Sequence, residues 1–340
     1  MGLFKRKDAA TAVADPSPVQ DSPDELEAEI ARLTEANRAA PDPDTERRLL
    51  RLRHQLGQLR LDTRDAAGIA APDEAALPSG GGLPEIAAAD LTPGLLRAGI
   101  LRDGCVLVRG LVDRDAAVAL GGQIDRAFAA RDAVDAGGSS PEGLYEEFEP
   151  ESRFEVTSVR PWIKQGGGVL AADSPRLTFE MLELFGAAGL PELVGGYLGE
   201  PAVLSVHKTT LRKAEPTVGG AWHQDGAFMG DVKALNLWLS LSRCGDLAPG
   251  LDIVPRRVDQ VVIDHDAMLD VELTRAKAAE AAGEVPILRP VFEPGDALFF
   301  DELFLHQTAS DPSMPNPRFA IESWFFGGSA FPADYAPVAV

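Results

Sequence analysis

Apolar and polar positions keep one rhythm in the first part of the chain and another in the last. Leu26, Ile30 and Leu33 recur at i, i+4, i+7, and Leu49, Leu52, Leu56 and Leu59 follow a 3-4-3 spacing, the narrow stripe of a coiled-coil seam. The break Ala40-Pro41-Asp42-Pro43-Asp44 separates the two runs and predicts a helical hairpin over residues 23–64. Residues 1–22 mix Ala, Pro, Ser and Asp without period and read as a disordered tail. Residues 65–90, with Pro78-Ser79-Gly80-Gly81-Gly82, have linker composition, so a main domain is expected over 91–330.

That domain opens as helix, strand, helix. Thr92 can cap a helix that starts at Pro93, Cys105 to Arg109 is a short β-rich run, and Asp113 opens an Ala/Leu-periodic helix. A helical stretch covers about 173–198. From 202 onward the period falls to two. Residues 233–241 alternate strictly, with Leu235, Leu237, Leu239 and Leu241 on one face and Asn236, Trp238 and Ser240 on the other, pointed at a cavity. Further strands are predicted at 202–213, 250–254, 286–292, 296–302 and 318–326. Short strands in succession late in the chain indicate an α+β protein with a mainly β core, an antiparallel jelly roll flanked by helices.

Charge changes the picture more than size does. The 340 residues carry 32 Lys and Arg against 53 Asp and Glu, a net of −21, which argues against nucleic acid as a partner. Residues 1–64 hold 11 bases and 12 acids, so the acidity belongs to the main domain and also disfavours a polyanionic substrate such as a CoA ester. Within the hairpin, 23–44 has seven acids and two bases while 45–64 has six bases and two acids, opposite signs that suit either an antiparallel hairpin or pairing between copies. A helical appendage with no role beyond solubility and a homo-oligomer through residues 23–64 fit this pattern equally. No apolar run long enough for a bilayer and no signal-peptide core are present, so no membrane partner is expected. Two cysteines, Cys105 and Cys244, are too few for a disulfide framework or a thiolate zinc site, and a cytoplasmic location fits.

The chemistry concentrates at Trp222-His223-Gln224-Asp225-Gly226. Residues two apart on a strand project to one side, so His223 and Asp225 can share a metal. His306, 81 residues past Asp225, follows a turn and strand that would deliver a third ligand. Two His and a carboxylate on one face of an octahedron leave adjacent positions open, the arrangement of non-haem Fe(II) oxygenases, although zinc accepts the same donors. Arg318, at the start of another strand, offers a guanidinium for the far carboxylate of a dicarboxylate. His54 reads as a solvent-facing residue of the hairpin, His265 as a decoy flanked by Asp264 and Asp266, and the acidic stretch 139–151 as a solvated loop.

His223-Gln224-Asp225, Asn236-Leu237-Trp238-Leu239-Ser240-Leu241, Pro249 to Pro255, Gly295-Asp296, His306 and Arg318, in that order, resemble the phytanoyl-CoA dioxygenase family of Fe(II)/2-oxoglutarate oxygenases. Asp103 to Gly110 is similar to that family's early strand, and the resemblance covers about 92–326. It implies a double-stranded β-helix in which His223, Asp225 and His306 bind Fe(II) and Arg318 grips 2-oxoglutarate. Trp238 would line the cosubstrate pocket, with Lys164, Ser205 and His207 as further contacts. The implied reaction consumes O2 and 2-oxoglutarate, releases succinate and CO2, and oxidises a small molecule. Asp225 stands where related halogenases have a small residue, which favours hydroxylation. The chain departs from the family pattern at Arg256-Arg257 after Pro255, where Gly-Ser-His is common, and in the loop after His306. A reading of another class makes the protein a jelly-roll binding or assembly module that works through the hairpin, with a vestigial metal site.

Overall fold

The computed structural model describes residues 22–62, 68–80, 82–140, 143–230 and 232–340. The expected tail, up to residue 21, lies outside the described residues.

Two helices come first, α1 (Pro23–Ala39) and α2 (Pro43–Asp62). Ser22 starts α1 with a capping box: its hydroxyl accepts from the Glu25 amide while the Glu25 carboxylate accepts from the Ser22 amide. Leu26, Ile30 and Leu33 of α1 pack with Leu49 and Leu56 of α2, and Ala339 near the end of the chain joins them. The stripes that suggested pairing between copies are therefore covered from within the chain. Gly57 marks the closest approach, because a Cβ there would lie 3.1 Å from the backbone of Pro337, Val338 and Ala339.

The expected linker is instead laid against the domain. The Ala70 amide donates to the Gly196 carbonyl and the Asp73 amide to that of Gly94. Strand β1 (Glu85–Ala87) then pairs in parallel with β2 (Cys105–Arg109). Between them, α3 (Pro93–Asp103) has the Thr92 hydroxyl as its cap and ends at Gly104 with φ +81°. Helices α4 (Arg114–Asp135), α5 (Val159–Gln165), α6 (Pro175–Ala187) and α7 (Leu190–Leu198) follow, with β3 (Gly168–Leu170) after α5.

The remaining elements are β4 (Ala202–Ala214), β5 (Trp222–His223), α8 (Gly226–Met229), β6 (Ala234–Ser240), β7 (Gly250–Ile253), β8 (Glu272–Leu273), α9 (Arg275–Ala282), β9 (Ala297–Phe300), β10 (His306–Ala309), β11 (Arg318–Gly327) and β12 (Pro337–Ala339). They form two sheets. The larger runs β1-β2-β9-β6-β11-β4-β12, with β3 also on β4, and the smaller runs β7-β10-β5-β8. The stretch expected as a strand at 286–292 supplies only two isolated bridges, Leu288 to Ile253 and Phe292 to Cys244.

Strand β6 shows how the core is divided. Leu235, Leu237, Leu239 and Leu241 face the helices and pack in one cluster with Leu96, Ile124 and Phe185. Trp238 faces the other way, into a second cluster with Leu251 and Ile253 of the smaller sheet and Phe292, Phe300 and Phe304. Every residue of β6 is buried, so the alternation separates two apolar layers rather than core from water. The space between the sheets holds the candidate site.

Candidate metal centre

His223 and His306 are direct cross-strand partners on β5 and β10, and their ring centroids are 4.4 Å apart. The sequence placed Asp225 on the same strand as His223. Instead β5 ends at His223, and Asp225 has α-helical φ and ψ at the start of α8, so the helix turn brings its carboxylate to the histidines. Gly226 permits that turn, because a Cβ would sit 3.1 Å from the Glu302 carbonyl, which accepts the Gly226 amide at 2.8 Å. Ligand atoms of His223, Asp225 and His306 all lie within 4.8 Å of one another.

The donor set suits a divalent metal. The Nδ1 of His223 is 2.9 Å from the Ala221 carbonyl and that of His306 is 3.1 Å from the Phe304 carbonyl. A carbonyl only accepts, so Nδ1 carries the proton and Nε2 keeps its lone pair for a metal. Burial and the neighbouring His223 ring, against the attraction of Asp225, push His306 down to about 4. Burial also raises Asp225, but Lys208 and both imidazoles outweigh it and hold the carboxyl below its ordinary range. Two imidazoles and a carboxylate face one point.

Gln224 turns away and ties the surroundings together. Its amide group donates to the carbonyls of Leu303 (2.6 Å) and Gln260 (3.2 Å), and its oxygen accepts from the Val262 amide at 2.8 Å. One side chain thus fixes both loops beside the ligands.

Arg318 is buried on β11. One guanidinium nitrogen donates to the Gly250 carbonyl at 3.1 Å, Nε has no partner, and no carboxylate of the described residues lies within ion-pair distance. Its carbon lies 5.3 Å from the Trp238 ring centroid. Burial lowers its pKa, with Cys244 and Glu322 acting in the opposite sense. Gly250 pairs with Ala309, three residues along β10 from His306, so the guanidinium is anchored about 10 Å from the triad along that strand.

Three residues put forward as cosubstrate contacts stand elsewhere. Lys164 is half-exposed on α5 and ion-paired with Asp135 of α4. Ser205 lines a small apolar cavity against Ala171, Thr178 and Met181 on the helix side of the sheet. His207 is held between the Glu155 carbonyl and the Ala336 amide and stacks on Tyr335 at 4.8 Å. The cause for the latter two is a bulge: Thr209 pairs with Ser323 and Leu204 with Phe325, so the four residues Ser205 to Lys208 stand opposite Trp324 alone. Strict alternation fails there.

The same bulge aims Lys208 at the centre, a residue the sequence reading missed. Its ammonium donates to Asp225 Oδ1 at 2.9 Å and lies 4.1 Å from the Phe228 ring centroid. Glu322, opposite Trp238 across β11 and β6, accepts from Arg212 at 2.9 Å and from the Thr210 hydroxyl at 3.2 Å. His54 corrects an expectation too. It is buried between Phe148 and Phe154, bonded through Nδ1 to the Pro337 carbonyl at 2.7 Å and through Nε2 to the Glu151 amide at 3.2 Å. The 139–151 stretch is likewise not all solvated, since Leu144, Tyr145 and Phe148 enter the core.

No protein-family model and no curated protein matches the chain. Solved structures do. EctD from S. alaskensis with 2-oxoglutarate and 5-hydroxyectoine is 19% identical, with a TM-score of 0.49 over 78% of this chain and 84% of that one. The epimerase SnoN in complex with Fe3+, alpha ketoglutarate and nogalamycin RO is 19% identical, with a TM-score of 0.45 over 69% of this chain and 83% of that one. The carbocyclase SnoK from nogalamycin biosynthesis is 15% identical, with a TM-score of 0.45 over 72% and 87%. At this distance the likeness carries no assignment of chemistry, which rests on the residues above.

Proposed function

We propose that the protein is an Fe(II)/2-oxoglutarate-dependent dioxygenase with a jelly-roll core, hydroxylating a small-molecule substrate. The observation that carries this reading is a pairing. A converging two-histidine, one-carboxylate triad stands about 10 Å along β10 from a buried guanidinium with no carboxylate of the described residues within ion-pair distance. A buried cation without an anion is costly, so the site is built for an anionic ligand. The span from triad to Arg318 suits a five-carbon dicarboxylate, one end at the metal and the other on the guanidinium.

His223, Asp225 and His306 would hold the ion, leaving one side of it open. A ferrous ion bound there supplies O2 activation coupled to oxidative decarboxylation of 2-oxoglutarate to succinate and CO2. The chain's own residues do the positioning. The Ala221 and Phe304 carbonyls fix the histidine tautomers, Arg318 orients the cosubstrate, and Trp238, Phe292, Phe300 and Phe304 exclude water from one side of the cavity.

The test is anaerobic addition of Fe(II) and 2-oxoglutarate to the purified protein. A weak visible charge-transfer band should appear, and His223→Ala should abolish it together with succinate formation in air. No band in the wild type, or the same band in both proteins, would sink the assignment. The reading of a binding module that works through the hairpin would need a face other than the apolar stripes, which are packed inside the chain.

A further inference from the structure

The buried cations beside the triad differ in their partners. Lys208 holds Asp225, Arg212 holds Glu322, and Arg318 has no acid of the described residues within ion-pair distance, while Glu272, the cross-strand partner of His223, and Glu302, beside Gly226, are further acids near the ligands. The nearby pairs Arg289–Asp252 and Arg257–Asp301 close on themselves. On the reading proposed above, a divalent ion adds two positive charges and a dicarboxylate removes two, so the balance among these groups is unchanged.

The contacts single out Lys208. Arg212 keeps Glu322, and Arg318 takes the far carboxylate of the cosubstrate. Lys208 has only Asp225, through Oδ1, and the other oxygen, Oδ2, faces His306 Nε2 at 3.8 Å. A metal bound through Oδ2 would share the single charge of Asp225 with Lys208. The lysine side chain is only 14% exposed, so water compensates it poorly.

Lys208 also sits where a substrate would enter. Its ammonium lies over Phe228, whose ring is partly exposed beside the ligands. The segment between β7 and β8 is fastened to Gln224, returns to pair Glu272 with His223, and exposes Ile263, Met268 and Leu269. A buried cation beside an aromatic ring suits an acid group on an apolar body.

We propose that Lys208 is the specificity-determining residue of the substrate site and binds the carboxylate of a monoanionic substrate with an apolar body. This refines the meaning of the chain's acidity. The net charge of −21 repels polyanions at long range, whereas one carboxylate is neutralised locally once it reaches the pocket.

The inference rests on the dioxygenase reading, and the experiment separates the two. Protein loaded with Co(II) and 2-oxoglutarate is titrated calorimetrically with 3-phenylpropionate and with its uncharged isostere 3-phenylpropanamide. The acid should bind about tenfold more tightly than the amide, the scale of one charge-assisted hydrogen bond. Lys208→Gln should bring the ratio below about twofold and Lys208→Arg should keep it, the Co(II) and 2-oxoglutarate titrations being repeated on each variant. Equal affinities in the wild type, an acid preference that survives Lys208→Gln, or binding of neither probe overturns the inference and leaves the dioxygenase reading standing. Failure of the wild type to bind Co(II) or 2-oxoglutarate overturns both.

Discussion

The guanidinium carbon of Arg318 lies 5.3 Å from the ring centroid of Trp238, in a layer where both side chains are nearly inaccessible to solvent. The aromatic ring gives the cation a partial partner, and the N–H groups not engaged by the Gly250 carbonyl stay available for a planar anion. Arg318→Met should therefore weaken 2-oxoglutarate binding by about two orders of magnitude, because the removed contact is a desolvated charge pair. Metal content should stay stoichiometric. Titration of 2-oxoglutarate against the Co(II)-loaded protein reads the first quantity and elemental analysis the second, and an unchanged affinity would remove Arg318 from the site.

Lys164→Ala should behave differently. Lys164 is half-exposed and its partner Asp135 lies on the outer surface of α4, so the pair contributes about 0–1 kcal/mol to stability. The 2-oxoglutarate affinity should stay within about twofold of wild type, about 0.4 kcal/mol on the affinity scale. A larger loss would return Lys164 to the cosubstrate pocket.

Gly57→Val tests the clasp between α2 and the end of the chain. The backbone of Pro337 to Ala339 lies 3.1 Å from where a Cβ would stand, so the helix must move or β12 must yield. Overpacking of this kind costs about 1–3 kcal/mol. Urea unfolding should show a lower midpoint, while the mass in solution should not change, since the hairpin stripe faces its own chain.

His54 gives a pH dependence with a definite sign. Burial pushes its pKa below 6.5, with the Pro337 carbonyl and Glu151 acting in the opposite sense. Between pH 6.5 and the lower folded value the unfolded chain binds a proton that the folded chain does not, so stability falls as pH falls through that window and is whole above it. His207 and His306 act in the same direction. His54→Phe should be less stable at neutral pH and should lose stability less steeply below pH 6.5 in denaturant titrations. An unaltered slope would mean that the ring is protonated in place.

The parts of the site legible in the sequence are those where regular geometry holds or where one short motif carries the ligands. His223 and Asp225 could be named from their spacing, although the reason given, a shared strand, was replaced by a helix start at Asp225. The leucine alternation of β6 announced its helix-facing layer and its Trp238 face correctly, because a central strand has no room for slippage. Lys208 was hidden, and Ser205 was misassigned, by the same bulge in β4, where four residues face one and the two-residue period is lost. His54 was expected to face solvent as a residue of the hairpin. What buries it comes from residues near 150 and 337, and no local pattern reports contacts of that range. The Gly- and Pro-rich stretch before residue 90 reads as a linker by composition, yet its backbone is bonded to Gly94 and Gly196 and continues into β1.

The bond from His54 to Pro337 joins residues 283 positions apart. Helix α2 therefore completes its seat only once a segment far along the chain has joined the fold. Until then its apolar side has only α1 for cover. Loss of residues 337–339 would uncover part of that surface along with the ring of His54. The hairpin and β12 thus form one cooperative unit, closed by contacts that no local segment can make alone.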